Sequence, residues 1–564
     1  MAPKPTAGGP LMGALLQKRV SPSAQTGSTP RAANPPVTSG TSALAVGAQI
    51  MEFRTALERR KLKSLTPYNP DTWEALLRSS GLIARYPYIP KSLRTGFTVN
   101  IPPIATTYAP PNHPSIVTHH NAFEASINKE FTLKRYLGPY SQSDIESVIR
   151  NFQSSPLSII PKLGKPGKFR LIQNLSFPHS PLPLVASINS RISSDLFPCS
   201  YGTFSIVSLL ISKLPPGSQA AIRDVSEAYR TVPLCPSEWQ GLVVRVSPDL
   251  FAIDTCLCFG FGPSGGIYGA LAGAGADLFR AKGIGPVSRW VDDHIFFRIW
   301  KEYLTQYNQH RTQVAESIRR NGGLITQGGR QWFEGDTLSD DQHTEFNEDH
   351  IFPLCDLSES SPRSDDDFKY TYNFEDIDTI SRQLGIPWEA SKDIPFSSSV
   401  VYLGLTWDLN YRTVTLSDPK HIKYLLAINE WNLSRTHTLH EVQKLHGRLL
   451  HATLVIPPGR AYLIHLEAML AIFGDSPFKP RTPPLGTVED LLWWSTILNN
   501  PPHPLTIPRP GIIYDFIAFS DTSSGFGIGI TIDKQWQAWR LCTGWNTDGR
   551  DIGWAESIGF ELLV

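Results

Sequence analysis

Two adjacent carboxylates, Asp292 and Asp293, constrain this 564-residue chain more than any other feature. They stand in the run Arg289-Trp290-Val291-Asp292-Asp293-His294-Ile295-Phe296-Phe297, with apolar residues on both sides. Such a run predicts two short buried strands joined by a tight turn, because Asp suits turns and β-branched and aromatic residues suit strands. Like charges repel, and in a buried setting they persist only beside a cation. The pair is therefore either a hairpin tip that binds a divalent metal ion or a solvated surface turn.

Length and composition indicate a multidomain globular protein. The 564 residues leave room for roughly three or four domains, and 41% hydrophobic content is typical of folded chains. Six cysteines without a CxxC spacing favour a reducing intracellular setting, nuclear or cytoplasmic. We find no signal peptide, and no apolar run approaches the ~20 residues of a membrane span, so no membrane contact is expected. No protein partner can be identified from the sequence.

The net charge of +1 conceals an uneven distribution. The stretch 334–378 holds fifteen acidic residues against two basic ones, which leaves 50 basic and 36 acidic residues in the remainder. That remainder suits a polyanion such as nucleic acid, or its charges are simply spread over a solvated surface. The acidic stretch lacks periodicity and predicts a flexible surface insertion rather than a metal site or a partner motif. Residues 1–50 are rich in Pro, Gly, Ser, Thr and Ala with no acidic residue, which predicts a disordered tail in preference to a transit peptide.

Two further segments carry candidate binding residues. In Ile159–Ser176, two apolar runs flank a turn rich in Gly, Pro and Lys. The pattern predicts a hairpin that projects Lys165, Lys168 and Arg170 toward a triphosphate or nucleic-acid backbone, or simply a soluble basic hairpin. In Ala220–Leu234, an apolar strand ends in Asp224, and a carboxylate at the end of a rigid strand is a natural metal ligand.

The segment Cys258–Gly266 is a glycine-rich loop, and a helix rich in small residues is predicted from Ile267 to Arg280. Glycine lets the backbone approach a base pair or a sugar closely, although it also permits plain tight packing. In this order, the basic hairpin, Asp224, the glycine loop and the Asp292-Asp293 pair resemble reverse transcriptases. The resemblance implies an α+β right-hand polymerase with fingers, palm and thumb, in which the palm sheet is antiparallel.

The resemblance also implies specific roles. Asp224 matches the aspartate of the first palm motif, and Trp290–Asp293 matches the YxDD box with Trp in place of Tyr. Asp224 and Asp292 would bridge two Mg²⁺ ions, for which Mn²⁺ is an alternative, and Asp293 would help less directly. Lys392 lies where a palm lysine helps to protonate pyrophosphate, which makes it a candidate catalytic residue.

Four residues would bind substrate. Tyr229 falls at the aromatic steric gate that favours deoxynucleotides, and Lys168 and Arg170 fall near the fingers residues that hold the incoming triphosphate. Gly260 matches the glycine of the template-proximal loop. The partners implied are an RNA template, a DNA primer and dNTPs.

Three segments narrow the resemblance to DIRS-like, tyrosine-recombinase-encoding retrotransposons: Asn151–Leu157, Lys168–Ser176 and Val455–Leu463. It covers about residue 70 to the C-terminus. The implied organisation is a tail at 1–50, an N-terminal extension at 51–135, fingers and palm at 136–415 with the acidic insertion at 334–378, a helical thumb or connection at 416–475, and an RNase H-like segment at 476–564.

The last segment resembles the first part of RNase H. An apolar strand ends in Asp521, a Ser/Gly turn and a second strand follow, and Trp536–Leu541 predicts a third strand. Glu556 matches the helix glutamate, so Asp521 and Glu556 would be two metal ligands. Since the chain stops at Val564, before the family's further aspartates, we expect a truncated α/β segment without hydrolytic activity.

Two functions remain open at this point. One is an RNA-directed DNA polymerase of a retrotransposon, which transfers nucleotides from dNTPs to a primer 3'-OH. The other is an inactive or domesticated reverse transcriptase remnant that binds nucleic acid. The intact trio Asp224, Asp292 and Asp293 favours the active enzyme.

Overall fold

The computed structural model describes residues 43–162, 165–320, 324–325, 330–332, 348–349, 352–431, 433–474, 476–500, 503–507, 518–547 and 549–563. The chain comprises two compact units, Met1–Met51 and Glu52–Val564. Of the predicted tail, residues 1–42 lie outside the described residues. Helix α1 begins at Ala43, so the last eight positions of that tail are helical.

The helices and strands alternate along the chain without a simple repeat. The α-helices are α1 Ala43–Leu62, α2 Pro70–Ser79, α3 Ile89–Thr95, α4 Ser115–Thr118, α5 His120–Thr132, α6 Gln142–Ile149, α7 Phe204–Lys213, α8 Ser264–Ala281, α9 Leu304–Arg320, α10 Asp365–Phe368, α11 Phe374–Leu384, α12 Asp418–Asn429, α13 Leu439–Ala452, α14 Ile464–Phe473, α15 Thr487–Asn499 and α16 Ile552–Leu563. The strands are β1 Tyr136–Tyr140, β2 Leu157–Pro161, β3 Phe169–Gln173, β4 Gln219–Asp224, β5 Val243–Ser247, β6 Leu250–Asp254, β7 Val287–Trp290, β8 Asp293–Arg298, β9 Leu324–Ile325, β10 Arg330–Trp332, β11 Glu348–Asp349, β12 Ile394–Ser397, β13 Ser399–Tyr402, β14 Leu405–Asp408, β15 Thr413–Leu416, β16 Leu505–Thr506, β17 Ala518–Ser523, β18 Gly527–Ile532 and β19 Gln535–Arg540. Short 3-10 segments lie at Asn189–Arg191, Ser194–Leu196, Ala228–Thr231, Pro236–Gly241, Lys301–Tyr303, Ala390–Lys392 and Pro457–Leu463.

A four-stranded antiparallel sheet of order β12-β4-β8-β7, here called the central sheet, organises the fold. The predicted hairpin around Asp292-Asp293 is confirmed, because β7 and β8 pair directly and the chain reverses at Val291 and Asp292. Val291 adopts a left-handed φ of 51°, which closes the turn in the fewest residues. The strand predicted to end at Asp224 is also confirmed as β4, which pairs with β8 along its whole length.

The central sheet is buried on both faces, because successive side chains of a strand point to opposite sides. One face carries Phe296 and packs on α8 and on the N-terminal helices, which contribute Trp73 and Leu77 to the same core. The small residues of α8 allow this close packing: a Cβ on Gly266 would stand 1.8 Å from the carbonyl oxygen of Phe197. The helix begins at Ser264, three residues before the predicted start.

Residues 68–104 are part of that core rather than an appendage to it. Asp277 of α8 is fully buried, and three side chains from two parts of the chain satisfy its carboxylate. The Tyr86 hydroxyl donates to it at 2.6 Å, and the guanidinium groups of Arg85 and Arg280 lie 3.0 and 2.6 Å away. A buried charge is stable only when it is paired in this way, so these bonds hold the N-terminal residues on α8.

The other face of the central sheet carries Ile222 and Ile295 and packs on a second sheet, of order β13-β14-β15-β16, and on α12–α15. Helix α13 begins with a capping box, in which the Thr438 hydroxyl accepts from the Glu441 amide and the Glu441 carboxylate accepts from the Thr438 amide. No helix in the described part of the chain is long and apolar enough to cross a membrane.

The prediction of a flexible surface insertion at 334–378 is wrong for residues 352–378. Tyr372 and Ile377 are fully buried, and α11 begins with a capping box at Asn373. Buried arginines of the central region bind the acidic side chains: Arg298 binds Asp367 at 2.7 Å, and similar pairs are described below. Residues 333–347 and 350–351 lie outside the described residues.

The three strands and the helix predicted for the C-terminal segment are confirmed. β17, β18 and β19 form an antiparallel sheet in sequence order, and α16 packs on one face of it. That face carries Thr522, whose hydroxyl donates to the Ala555 carbonyl at 3.3 Å, and Ile528, which touches the helix at Gly559.

Candidate active site

Three carboxylates converge where β4 and β8 meet at the end of the central sheet. Asp224 is the last residue of β4 and pairs directly with Asp293, the first residue of β8, while Asp292 lies in the turn beside them. One oxygen of each carboxylate lies within 4.8 Å of the others. We call these three residues the aspartate cluster. Among the described residues, no other group of three or more His, Cys, Asp or Glu side chains comes together in this way.

Backbone contacts hold the turn of the cluster in place. The Asp292 carbonyl accepts from the Val225 amide at 3.1 Å, which ties the turn to the chain just after β4. The same carbonyl lies 3.0 Å from Nδ1 of the buried His294. Asp224 is buried and Asp292 and Asp293 are half-buried, so the solvated surface turn that the sequence left open does not describe this site.

The electrostatics of the cluster favour a cation. Burial and the charges of Asp292 and Asp224 raise the pKa of Asp293 to about 7. Burial, together with the charge of Asp224, also raises the pKa of Asp292. Burial first, and then the repulsion between neighbouring carboxylates, makes ionisation unfavourable, and a bound cation would offset both effects. Oxygen ligands of this kind suit a hard divalent ion such as Mg²⁺. The donor set therefore fits the metal that the sequence predicted.

Lys392 joins the cluster from the other side of β4. Its Nζ donates to Asp224 Oδ1 at 2.7 Å. Burial acts to lower the pKa of Lys392, but the hydrogen bond and the charges of the three aspartates outweigh it and raise that pKa. The side chain is 56% exposed, so its charged end can reach a ligand bound over the cluster.

Tyr229 lies beside the cluster on the 3-10 segment Ala228–Thr231. Its ring packs 5.8 Å from the ring of Tyr268 and 4.9 Å from the ring of Phe259. Burial and the charge of Asp292 raise the pKa of the Tyr229 hydroxyl. The structure therefore holds an aromatic side chain, with one edge half-exposed, next to the carboxylates.

The predicted basic hairpin is confirmed as β2 and β3, which pair from Leu157↔Gln173 to Pro161↔Phe169. Lys168 and Arg170 are exposed on it. Burial and the nearby positive charges of Arg170, Lys165, Lys129 and Lys392 lower the pKa of Lys162. The hairpin and Lys392 therefore contribute to one electropositive region.

Gly260 sits in the glycine loop with φ of +90°, where a Cβ would stand 2.9 Å from the Gln173 carbonyl at the end of β3. Asn189 binds the loop twice: its side-chain nitrogen donates to the Gly260 carbonyl at 2.7 Å, and its Oδ1 accepts from the Gly262 amide at 2.9 Å. Sequence reasoning missed Asn189, because no local pattern marks an asparagine 71 residues from the loop that it binds.

Phe259 was also missed. It is 46% exposed although it is a large apolar side chain, and it lies between two residues that the sequence did single out. Its ring is 4.9 Å from the Tyr229 ring, and the guanidinium carbon of Arg170 lies 5.4 Å from its centre. The only signal in the sequence was a phenylalanine directly before the glycine of the loop, and its exposure became known only from the structure.

The two residues proposed for RNase H chemistry are not brought together. Thr522 points to α16, so its neighbour Asp521 points to the opposite face of the sheet. Glu556 is exposed on α16 itself.

No family model and no curated protein matches the chain. Three of the solved structures that match are of foamy viral protease-reverse transcriptase. The complex with an RNA/DNA hybrid is 13% identical with a TM-score of 0.44, covering 91% of this chain and 55% of that chain. The dRH form with double-stranded DNA is 14% identical with a TM-score of 0.42, covering 90% and 68%, and another complex with double-stranded DNA is 15% identical with a TM-score of 0.41, covering 88% and 81%. This chain spans about half the length of the first of these, at 55%.

Proposed function

We propose that this chain is an RNA-directed DNA polymerase of a DIRS-like retrotransposon, which extends a DNA primer on an RNA template with dNTPs. The observation that carries the proposal is the aspartate cluster, in which Asp224 and Asp293 come from two paired strands and Asp292 from the turn beside them, with Lys392 bound to Asp224. The motif order of the sequence supports the same function. In this proposal the central sheet is the palm of a right-hand polymerase, the β2-β3 hairpin is part of the fingers, and α12–α14 form the thumb or connection.

Asp224 and Asp292 would hold two Mg²⁺ ions, or Mn²⁺, with Asp293 assisting. When bound there, the metal activates the primer hydroxyl and neutralises charge on the leaving group. The primer 3'-oxygen forms a bond to the α-phosphorus, the bond from that phosphorus to the β-phosphate oxygen breaks, and pyrophosphate leaves with the electron pair. The hydroxyl proton passes to water, and the Lys392 ammonium gives a proton to the leaving oxygen and regains one from solvent.

The remaining residues bind and select the nucleotide. Lys168 and Arg170 lie on the electropositive hairpin, where they suit the triphosphate. Tyr229 presents its ring beside the cluster, where it would crowd a ribose 2'-OH, and Gly260 keeps the loop backbone open to the template base pair. We assign no nuclease activity to the C-terminal sheet, since Asp521 and Glu556 do not share a face.

The test is Mg²⁺-dependent incorporation of dTTP on poly(rA) with an oligo(dT) primer. We expect wild-type protein and the control Asp249→Asn, an exposed position away from the cluster, to incorporate dTTP. Asp292→Asn should lose activity by a factor of about 10³ or more, as removal of a metal ligand from a two-metal centre implies. If wild type and Asp292→Asn are equally inert while both bind the primer-template, the chain is instead a nucleic-acid-binding remnant.

A further inference from the structure

The guanidinium of Arg223 is buried on the face of the central sheet opposite the aspartate cluster. Arg223 precedes Asp224 on β4, and adjacent side chains of a strand point to opposite faces. It is 4% exposed, and it grips Asp393 with two bonds, from Nη2 to Oδ2 at 2.8 Å and from Nε to Oδ1 at 3.3 Å. Its third nitrogen binds Asp378, and the ring of Trp388 lies 4.9 Å from its central carbon. A two-bond arginine contact fixes both the position and the orientation of a carboxylate.

Asp393 directly follows Lys392, the residue whose ammonium reaches the cluster. Lys392 ends the 3-10 segment Ala390–Lys392, and at Ile394 the chain begins to pair with β4 as strand β12. The Lys392 side chain is 56% exposed, so packing restrains it little. The position of its Nζ therefore depends on where its backbone is held. Backbone bonds hold the segment on one side, through Glu389, and Arg223 holds the next residue, Asp393, through two side-chain bonds.

We propose that Arg223 is a positioning residue for the polymerase reaction. By binding Asp393 on the opposite face of the sheet, it fixes the backbone position from which the Lys392 ammonium extends toward Asp224 and the nucleotide. The inference rests on the proposed function. Arg223 and Asp224 are adjacent on β4, and Lys392 and Asp393 are adjacent in the segment before β12. Arg223 binds Asp393 on one face of the sheet, and Lys392 binds Asp224 on the other face.

Arg298 provides a matched control. It lies on the same face of the central sheet, is 5% exposed, binds Asp367 at 2.7 Å, and stacks 3.9 Å from the ring of Tyr370. It resembles Arg223 in burial and in charge pairing, but no residue next to Asp367 touches the aspartate cluster. Loss of either arginine removes a buried ion pair, so both losses should lower stability.

The experiment measures kcat and KM for dTTP on poly(rA)/oligo(dT), together with Tm, for Arg223→Met, Arg223→Lys, Asp393→Asn, Lys392→Met, the double variant Arg223→Met/Lys392→Met, and Arg298→Met. We expect Arg223→Met and Asp393→Asn to lower kcat about 10- to 100-fold with little change in KM, because displacing a reacting group by about 1 Å costs on this order. Arg223→Lys should recover part of that loss. Arg298→Met should lower Tm similarly and leave kcat within about twofold of wild type.

The double variant separates positioning from general support of the fold. If Arg223 acts through Lys392, its loss should change kcat by less than about twofold once Lys392 is methionine. Fully additive losses, or wild-type kcat in both Arg223→Met and Asp393→Asn, would overturn the inference. Should Arg223→Met fail to fold, Asp393→Asn and Arg223→Lys decide the question in the same cycle.

A second readout does not require activity. Mass spectrometry can follow the rate at which an amine-reactive reagent acylates Lys392 in the metal-free full chain. Release of Lys392 from Asp224 should raise that rate severalfold in Arg223→Met and not in Arg298→Met, and equal rates in all three proteins would contradict the inference. Failure of wild type to incorporate dTTP would contradict the proposed function. The labelling rate does not depend on activity, so it tests separately whether Arg223 holds Lys392 in position.

Discussion

Replacing Asp293 with asparagine should stabilise the metal-free protein at neutral pH. In the folded protein, burial and the charges of Asp292 and Asp224 raise the pKa of Asp293 to about 7, against an ordinary value of 3.8. Ionisation of this carboxyl therefore costs free energy that the unfolded chain does not incur. Asparagine has nearly the same shape and cannot ionise, so it removes the repulsion.

The sign and size follow from proton binding. Between pH 3.8 and about 7 the folded state holds the Asp293 proton and the unfolded state does not, so the free energy of unfolding falls as pH rises through this window and levels off above it. A gap of about three pH units at about 1.36 kcal/mol each sets an upper bound of about 4 kcal/mol. The carboxylate is only half-buried, so solvent screening reduces the expected effect to about 1–2 kcal/mol.

The assay is thermal unfolding of wild type, Asp293→Asn and the exposed control Asp249→Asn from pH 4 to pH 8, without divalent metal. Asp293→Asn should unfold at a higher temperature than wild type at pH 7.5, by about 1–4 °C, and the gap should close toward pH 4. Saturating Mg²⁺ should reverse the order, because binding at 100 times Kd stabilises wild type by about 2.7 kcal/mol and the variant has lost a ligand. An Asp293→Asn protein that is less stable than wild type in metal-free buffer at pH 7.5 would refute the reasoning.

Three further variants test the nucleotide site. Tyr229→Ala should raise incorporation of ribonucleotides relative to deoxynucleotides, and unchanged sugar selectivity in a competition assay would reject its role as the gate. Phe259→Ala should raise KM for dTTP about 2- to 5-fold with a smaller change in kcat, which steady-state kinetics would measure. The variant loses the contacts of the ring with Tyr229 and Arg170, which are worth about 0.5–1 kcal/mol at an exposed site. Gly260→Ala should lower activity and cost about 1 kcal/mol in the free energy of unfolding, because its Cβ would stand 2.9 Å from a carbonyl oxygen at φ of +90°; denaturant unfolding beside the incorporation assay checks both.

The sequence was sufficient for elements whose signals are local. The turn at Asp292, the strand that ends in Asp224 and the basic hairpin each depend on a run of apolar residues bounded by turn residues, and all three formed as predicted. The pairing of Asp224 with Asp293 is different, because 69 residues separate them and no local pattern specifies which strands pair. Without the structure, only the resemblance in motif order to a known family indicates that these two carboxylates share a site.

Residues that act across the fold escaped prediction for the same reason. Asn189 binds the glycine loop from a segment with no distinctive composition, and Arg223 was passed over as one more residue of an apolar strand. A buried arginine next to Asp224 needs a partner, since a charge is buried only when it is paired. That argument identifies Arg223 as a residue in need of partners, but it cannot say that the partners are Asp378 and Asp393.

The acidic stretch neutralises part of the basic charge of the rest of the chain. When residues 334–378 are counted as a separate insertion, the remainder is strongly basic, and this excess of positive charge predicted a surface that binds nucleic acid. In the structure, Arg223 and Arg298 of that remainder are buried and bind Asp378 and Asp367 of the acidic stretch, so these arginines contribute to the fold and not to an exposed basic surface. The β2-β3 hairpin and Lys392 contribute positive charge beside the aspartate cluster, at the position to which the proposed function assigns the triphosphate. The net charge of a segment therefore overstates the amount of exposed basic surface. What matters for the proposed reaction is the position of each exposed lysine and arginine relative to the aspartate cluster.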